Sequence, residues 1–216
     1  MQSQETNEIY CEICAETQWL HGRWLIYKQL FRKSQKRIYL LNECAPSCFN
    51  IIQYVIIENI QISLSKLSDP GKVGKRENLS LETLHARIEL EESPDLAKSL
   101  KVILKRFHDQ CAPFRTWRNK RFAHFDLGAS LNVSGESLPE VSIIMIEGAL
   151  ATLREYLNYI EGYFRNTEIG YDHILFRTSD ADTLVSVLKA GMRYEELVQE
   201  NALPFDDRSK SPWHDA

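Results

Sequence analysis

The sequence predicts an all-α protein: one helical bundle of four to five main helices, followed by a short polar tail. Apolar residues recur at steps of three, four and seven along most of the chain, which is the period of a buried helix face. Proline and capping residues stand where these patterns begin and end. The isoleucine-rich run at residues 49–64 neither alternates nor has the length of an ordinary strand. We expect a single domain over residues 1–200 and the tail over residues 201–216.

The composition is that of an ordinary globular protein, with 216 residues, 44% hydrophobic and 26% charged. Its formal net charge of −4 excludes a protein that grips nucleic acid over its whole surface, so any phosphate contact must come from a local patch. No apolar run has the length needed to span a bilayer, and the polar, acidic N-terminus is unlike a signal peptide. We expect a cytoplasmic protein with no membrane association.

The five cysteines are expected to be thiols, because the cytoplasm is reducing. Cys11-x2-Cys14 and Cys44-x3-Cys48 each place two thiols on one helical face, which together have the composition of a tetrahedral zinc site. Both pairs lie inside apolar helical patterns, where small buried hydrophobic residues explain them as well. We predict no metal and no cofactor, with zinc as the alternative.

The first helix is predicted over residues 7–32. Its C-terminal end, residues 28–37, is strongly basic, which either stabilises the helix C-terminus or forms a nucleic-acid surface. The next helical stretch, residues 38–67, is expected to break near Ala45 and Pro46, because proline suits the first position of a helix. Its isoleucines favour burial over most of the helix circumference. Glu58 and Asn59 inside this run are expected to form core hydrogen bonds or to face a buried arginine.

Residues 67–81 are predicted to form a loop, because Pro70, Gly71 and Gly74 interrupt the helical pattern. The glycines and lysines of residues 71–76 suggest a phosphate cradle, but they lack the spacing of a P-loop and no strand precedes them. Two helices follow, with Ser80 and Ser93 as their predicted N-caps. Their inward-facing residues are expected to be Leu81, Leu84, Ile88, Leu96, Leu100, Ile103, Leu104 and Phe107.

Pro113 predicts a kink or break between residues 109 and 114, before a helix that ends near Gly128. The motif Ser137-Leu-Pro139-Glu140 has the form of a capping box and predicts a helix to about residue 164. A short extended piece is expected at residues 174–176. A last helix from about Asp180 is expected to bury Leu184, Leu188 and Leu197.

Residues 114–126 are the stretch most typical of a functional site. On an α-helix, steps of three bring Arg115, Arg118, Arg121 and His124 onto one slowly drifting stripe. These cations repel one another unless carboxylates, a helix C-terminus or an anionic ligand offsets them. The alternative is a solvated basic face with a histidine near the helix end.

Within this stretch Arg118, Asn119 and His124 supply a fixed cation, an amide and a group that titrates near neutrality. Cleavage of an RNA phosphodiester needs such a set, because a base must take the proton of the 2′-hydroxyl while a cation stabilises the charge on phosphorus. This chemistry requires no metal ion. The sequence contains no nucleophile elbow, no His-Glu-x-x-His, no dinucleotide fingerprint and no P-loop.

The segment Arg118-Asn119-Lys-Arg-Phe-Ala-His124 resembles the signature of HEPN proteins, an Arg-Asn pair followed a few residues later by histidine. Upstream, Asp69-Pro70 and Glu77-Asn78-Leu-Ser-Leu resemble the abortive-infection U-type branch of that superfamily. The resemblance covers roughly residues 5–165 and implies an all-α bundle. In active members it also implies metal-independent endoribonuclease activity, in a toxin or phage-defence role, from a homodimer in which the Arg and His of both subunits meet.

The resemblance also implies roles for individual residues. His124 would be the general base or acid, Arg118 would stabilise the phosphate, and Asn119 would orient the substrate or the histidine. The resemblance assigns no role to Lys120 and Arg121. These two residues and Arg115 are expected to bind phosphates of the RNA backbone, as basic side chains do. An antitoxin or regulatory protein is a further expected partner. The alternative function is a non-catalytic HEPN module that binds RNA, nucleotide or a protein.

Asp126 departs from one pattern of the superfamily. HEPN proteins paired with a nucleotidyltransferase often carry a tyrosine two residues after the histidine, where it can be modified. An aspartate there is instead expected to pair with His124 or Arg121, and to raise the pKa of the histidine. Asp126 and Glu58 are therefore the predicted supporting residues of the site.

Overall fold

The computed structural model describes residues 3–122, 138–173, 180–200 and 202. Within them the chain is almost entirely helical, and five helices are long while three are short. They are α1 (Gln4–Phe31), α2 (Gln35–Cys44), α3 (Pro46–Leu67), α4 (Leu81–Arg87), α5 (Pro94–Gln110), α6 (Ala112–Trp117), α7 (Ile143–Arg165) and α8 (Ala181–Gln199). The predicted all-α bundle with four to five main helices is confirmed.

Most helix boundaries follow the predicted caps. The break between α2 and α3 falls at Ala45, and α3 begins at Pro46, which has no N–H to contribute to the preceding helix. The hydroxyls of Ser80 and Ser93 accept hydrogen bonds from backbone N–H groups at the start of α4 and α5, and Asp180 does the same for α8. These three caps satisfy backbone donors that a helix N-terminus leaves unpaired.

The start of α7 differs from the prediction. Its N-cap is Ser142, whose Oγ accepts a hydrogen bond from Met145 N, so the helix begins after the expected capping box. Pro139 lies before the helix, where its carbonyl accepts a hydrogen bond from Trp117 Nε1 at 2.8 Å. This tertiary contact holds the segment outside the helix, while Ser137 lies outside the described residues. The C-terminal end of α7, at Arg165, is close to the predicted position.

The predicted loop at residues 67–81 contains a short β-hairpin. Strand β1 (Lys72–Val73) pairs antiparallel with β2 (Arg76–Glu77), with Val73 opposite Arg76. Gly74 has a φ of +62°, which is the left-handed conformation that a two-residue hairpin turn requires and that glycine adopts without strain. Gly74 therefore has a structural explanation.

Two turns of π-helix continue shorter helices. Residues Ile88–Glu92 extend α4, and residues Arg118–Phe122 extend α6. A π-turn has i→i+5 hydrogen bonds and is wound more widely than an α-helix, so it changes the direction in which successive side chains point. The second of these turns carries the arginine of the predicted site.

The chain forms two compact units. The described residues of Met1–Leu25 and Tyr54–Leu175 make up the first unit, and those of Ile26–Gln53 and Phe176–Ala216 make up the second. In the first, α5 packs against α7, around fully buried side chains that include Ile13, Leu20, Leu64, Leu84, Leu100, Phe107, Phe114 and Leu157. In the second, α2 packs against α8, and the buried side chains include Leu30, Leu41, Phe49 and Val185. The predicted domain limits stay a prediction.

A buried carboxylate connects α1 to α7 within the first unit. Glu161 is 3% exposed and accepts hydrogen bonds from Tyr10 Oη at 2.6 Å and Thr167 Oγ1 at 3.1 Å. Arg165 provides its counter-charge. Burial and the Glu161 hydrogen bond raise the pKa of Tyr10 far above its usual value, so the tyrosine stays a neutral donor.

Two burial predictions are wrong. On α3, Ile51, Tyr54 and Val55 are more than half exposed, so the helix is not buried around most of its circumference. Apolar residue type alone does not determine which faces find a packing partner. On α8, Leu184 is 43% exposed and Ala181 and Val185 are the buried residues.

The orientation of α8 has a visible cause. Asp182 forms ion pairs with Lys33 at 2.7 Å and with Arg37 at 2.6 Å, while Asp180 accepts a hydrogen bond from Gln29. These polar contacts fix the rotation of the first turn of α8 about the helix axis. That rotation determines which way the leucines of α8 face. The same contacts also give a structural role to two cations of the basic segment 28–37, of which Lys33 follows α1 and Arg37 lies in α2. None of the described helices has both the length and the apolar content needed to cross a bilayer.

Candidate functional site

The predicted site begins on α6, whose position is fixed from the core. Cys111 separates α5 from α6 and is fully buried, and Pro113 occupies the first turn of α6, so the predicted break is confirmed. Phe114 is fully buried and anchors the helix. Trp117 stacks on Phe122 with ring centroids 5.7 Å apart, which holds the π-helical turn against the helix before it.

The basic residues do not form the predicted α-helical stripe. Arg115 lies on α6, whereas Arg118 and Arg121 lie in the π-helical turn. Because that turn is wound more widely, the angle between Arg118 and Arg121 around the helix axis is larger than it would be in an α-helix. The stripe expected from steps of three is therefore wrong for these residues.

Arg118 forms the central contact of the site. Its Nη1 donates to Asp69 Oδ2 at 2.6 Å, and its Nε donates to Asn119 Oδ1 at 3.1 Å. The side chains of Arg118 and Asp69 are 20% and 21% exposed. Two edges of the guanidinium are thus occupied, while its Nη2 has no hydrogen-bond partner within the described residues. That nitrogen can still donate to an anion.

The loop that carries Asp69 is held by several hydrogen bonds. Asn78 Nδ2 donates to the carbonyl of Pro70 at 2.8 Å, and Asn78 N donates to the carbonyl of Gly71 at 2.9 Å. Thr83 Oγ1 donates to the carbonyl of Asn78 at 2.6 Å. A Cβ on Gly71 would lie 3.0 Å from Thr83 Oγ1, so only glycine fits there without a shift. These hydrogen bonds join the two ends of the loop and so restrain Asp69.

Arg115 has a structural role at the same place. Its Nη1 donates to Ser68 Oγ at 2.8 Å, and its Nη2 donates to the carbonyl of His108 at 3.1 Å. Ser68 is 4% exposed, so this contact is largely shielded from water. The adjacent residues Ser68 and Asp69 therefore each hold one arginine, and Arg115 joins the end of α3 to the last turn of α5.

The other predicted site residues differ in their exposure and contacts. Asn119 is exposed, and Lys120 and Arg121 are half-buried. Glu58 is half-buried and forms no hydrogen bond or ion pair with any residue that the structure describes, so it does not face a buried arginine among them. His124 and Asp126 lie outside the described residues, so their predicted roles stay predictions.

A cavity beside this site involves residues that the sequence interpretation missed. It has a volume of about 750 Å³, and Ser68, Asp69, Lys101, Lys105 and His108 contribute to its lining. The basic residues are spaced by four and three along α5, which places them on one helix face. Lysines at that spacing are typical of a solvated helix surface. Their link to the site depends on the packing of α5 beside the end of α3, which the spacing of residues along α5 does not reveal.

The cysteine pairs show no metal-site geometry in the part of the chain that the structure describes, because no three His, Cys, Asp or Glu residues are grouped to hold an ion. Cys14 Sγ accepts a hydrogen bond from Tyr171 Oη at 3.1 Å. Burial raises the pKa of the Cys14 thiol, which disfavours the thiolate that zinc requires.

Comparison with protein-family models identifies a match. The family model HEPN_AbiU2, described as AbiU2, matches residues 3–184 and so covers most of the chain. No curated protein matches the sequence, and no solved structure matches it.

Proposed function

The chain belongs to the HEPN AbiU2 family, and from that premise we propose that it is a metal-independent endoribonuclease with a toxin or phage-defence role. It acts as a homodimer with a composite Arg/His site. The observation that carries the proposal is the 2.6 Å ion pair between Arg118 and Asp69. It joins the two separate stretches of sequence, residues 69–81 and 118–124, on which the resemblance depends.

The proposed reaction is transfer of the RNA phosphodiester to its own 2′-hydroxyl. His124 takes the proton of the 2′-hydroxyl, and the oxygen attacks the adjacent phosphorus. The 5′-oxygen of the next nucleotide leaves with a proton from a general acid, and a 2′,3′-cyclic phosphate remains. Histidine suits both proton transfers because its pKa lies near neutrality.

Arg118 stabilises the negative charge that develops on the phosphoryl oxygens. Asp69 and Asn119 hold the guanidinium through Nη1 and Nε, so Nη2 is the group that meets the phosphate. A cation held in place by its neighbours needs no reorganisation when charge develops, which is the basis of electrostatic catalysis. Asp69 also offsets part of the positive charge, so Lys120 and Arg121 contribute to holding the RNA backbone.

The homodimer is what the resemblance implies, because in active HEPN proteins the Arg and His of both subunits meet in one cleft. A second copy related by a two-fold axis supplies the second histidine and a second Arg118. An antitoxin or regulatory protein that covers this cleft would silence the enzyme.

The proposal is tested with three variants and a metal-free assay. We expect the wild-type protein to cleave single-stranded RNA in the presence of EDTA, and to leave the matching 2′-deoxy oligonucleotide intact. His124→Ala and Arg118→Ala are each expected to lower the cleavage rate by about a hundredfold or more. Lys98→Ala, on the exposed face of α5, is the control and keeps the wild-type rate. Absence of cleavage in EDTA, or an undiminished rate for His124→Ala, contradicts the proposal.

A non-catalytic RNA-binding module is the second candidate. The same ion pair favours it in one respect, because Asp69 neutralises part of the charge that catalysis would use. This alternative predicts salt-dependent RNA binding without cleavage, and equal affinity for RNA in the wild-type and His124→Ala proteins.

A further inference from the structure

The cavity beside Asp69 has the size and shape of a binding site. Its volume of about 750 Å³ lies in the range of small-molecule sites and is sufficient for a nucleotide. It opens between the end of α3, α4 with its π-helical turn, and α5. The buried side chains of Leu67 and Phe107 form an apolar floor, and Val102, which is 73% exposed, stands at its margin.

The two sides of this cavity carry opposite charges. Glu82 of α4 and Glu89 of the following π-helical turn lie on one side, and Lys101 and Lys105 of α5 lie on the other. Among the described residues, none of these four side chains forms a hydrogen bond or an ion pair. Two carboxylates and two ammonium groups, with the His85 ring also in the lining, surround an apolar floor. A ligand with both hydrogen-bond donors and negative charge would complement this arrangement.

We propose that the cavity binds a guanine nucleotide unit of the RNA substrate, and so makes cleavage selective for sites next to guanine. Guanine presents its N1–H and its N2 amino group side by side, and a carboxylate accepts both. Uracil presents carbonyl oxygens on either side of its single N–H, and a carboxylate repels them. The apolar floor contacts the face of the base, as in other single-strand readers.

The lysines supply the second half of the recognition. Lys101 and Lys105 bind the phosphate that a nucleotide carries, through charge–charge attraction. The cavity also adjoins the proposed catalytic site, because Ser68 and Asp69 both line it. Ser68 accepts a hydrogen bond from Arg115, and Asp69 accepts one from Arg118. A base bound in the cavity therefore places the adjacent phosphodiester of the RNA close to Arg118. This selectivity rests on the proposed ribonuclease function, whereas binding of the nucleotide itself does not.

The test is titration calorimetry of the full-length protein with GMP and with UMP. We expect GMP to bind about tenfold or more tightly than UMP. Glu82→Gln/Glu89→Gln should remove that preference, while Lys101→Ala/Lys105→Ala should weaken both nucleotides and reduce the dependence of affinity on salt. Lys98→Ala, on the same helix but outside the cavity lining, is the matched control and keeps both affinities. Val102→Trp fills the mouth and should abolish binding.

Three results would overturn this assignment: equal affinity for GMP and UMP, a preference that survives in the Glu82→Gln/Glu89→Gln protein, or GMP binding that survives in Val102→Trp. Circular dichroism establishes that each variant is folded before titration. The His124→Ala protein separates this inference from the ribonuclease proposal, because it should bind GMP as the wild type does while cleaving no RNA. Loss of cleavage alone therefore leaves the cavity assignment standing, and loss of GMP selectivity alone leaves the ribonuclease standing.

Discussion

Arg118 is held by a neighbour that the chain places far away in sequence. Its partner Asp69 precedes it by 49 residues, yet Arg118 Nη1 and Asp69 Oδ2 are 2.6 Å apart. Both side chains are about one-fifth exposed, so the pair is screened by solvent less than a surface ion pair. The pair contributes little to the free energy of unfolding, about 1 kcal/mol, which is the upper value for exposed ion pairs. Its larger consequence is the fixed orientation of the guanidinium.

Replacing Asp69 by asparagine tests that role. The amide keeps the size of the side chain but loses the charge that restrains Arg118. We expect the rate of the bound complex to fall by about tenfold or more, because a looser guanidinium stabilises the transition state less well. The affinity for RNA should stay the same or increase, since a negative charge has been removed from the site. Single-turnover cleavage together with RNA binding measures the two quantities separately.

The opposite outcome identifies a different role. If Asp69→Asn cleaves faster than the wild type, Asp69 acts as a competitor for the phosphate rather than as a positioning residue. Ser68→Ala is the matched control, because it removes the neighbouring contact to Arg115 and leaves the Asp69 carboxylate in place.

Glu91 forms a pH-dependent contact with Thr6, near the start of the chain. Its carboxylate accepts a hydrogen bond from Thr6 Oγ1 at 2.7 Å and one from Arg87 Nη1 at 3.0 Å. The hydrogen bonds from Thr6, Ser3 and Arg87 hold the pKa of Glu91 at about 2, below its ordinary value of 4.5. Because the pKa is lower in the folded state, this carboxylate stabilises the fold above the ordinary pKa, and the stabilisation is lost as the pH falls toward 2.

Glu91→Gln should therefore be less stable than the wild type at neutral pH. The difference in the free energy of unfolding is expected to shrink as the pH is lowered from 4.5 toward 2, because the wild-type carboxylate becomes protonated over that range. Urea unfolding of both proteins at several pH values measures it. A difference that stays constant over this range would contradict the assigned cause.

The helices show where local sequence signals are sufficient. Pro46, Ser80, Ser93 and Asp180 mark real helix starts, because a cap or a first-position proline acts through the nearest backbone groups alone. The capping box at Ser137 fails, because a distant group competes for the same segment: the carbonyl of Pro139 is taken by Trp117 Nε1. The two π-helical turns had no local signal that separates them from α-helix.

The two serines before α7 distinguish the predicted cap from the observed one. Ser142→Ala should lower the free energy of unfolding by about 1 kcal/mol, because Met145 N loses its acceptor at the helix start. Ser137→Ala should have no measurable effect on stability. Thermal or urea unfolding of the two variants gives the comparison, and equal destabilisation by both would show that the helix start is assigned wrongly.

At the scale of the whole molecule, the sequence predicted the fold class and the main helices. Periodicity is sufficient for these because it reports which face of a helix is apolar. It did not predict the exposed face of α3, where Ile51 and Tyr54 remain outside the core. Nor did it predict the Arg118–Asp69 pair or the cavity beside it, since both depend on how helices far apart in sequence pack together.

The composite homodimer is the central claim, because the proposed site brings Arg118 and His124 of two chains together in one cleft. Arg118→Ala and His124→Ala each remove one half of the site, and their mixed dimer keeps one Arg118 and one His124 on different chains. The deciding measurement is RNA cleavage in EDTA by that mixed dimer, isolated after co-expression with two different affinity tags. We expect the mixed dimer to cleave RNA at a rate well above that of either parent dimer. A mixed dimer that forms but is as inactive as its parents would contradict a site shared between subunits.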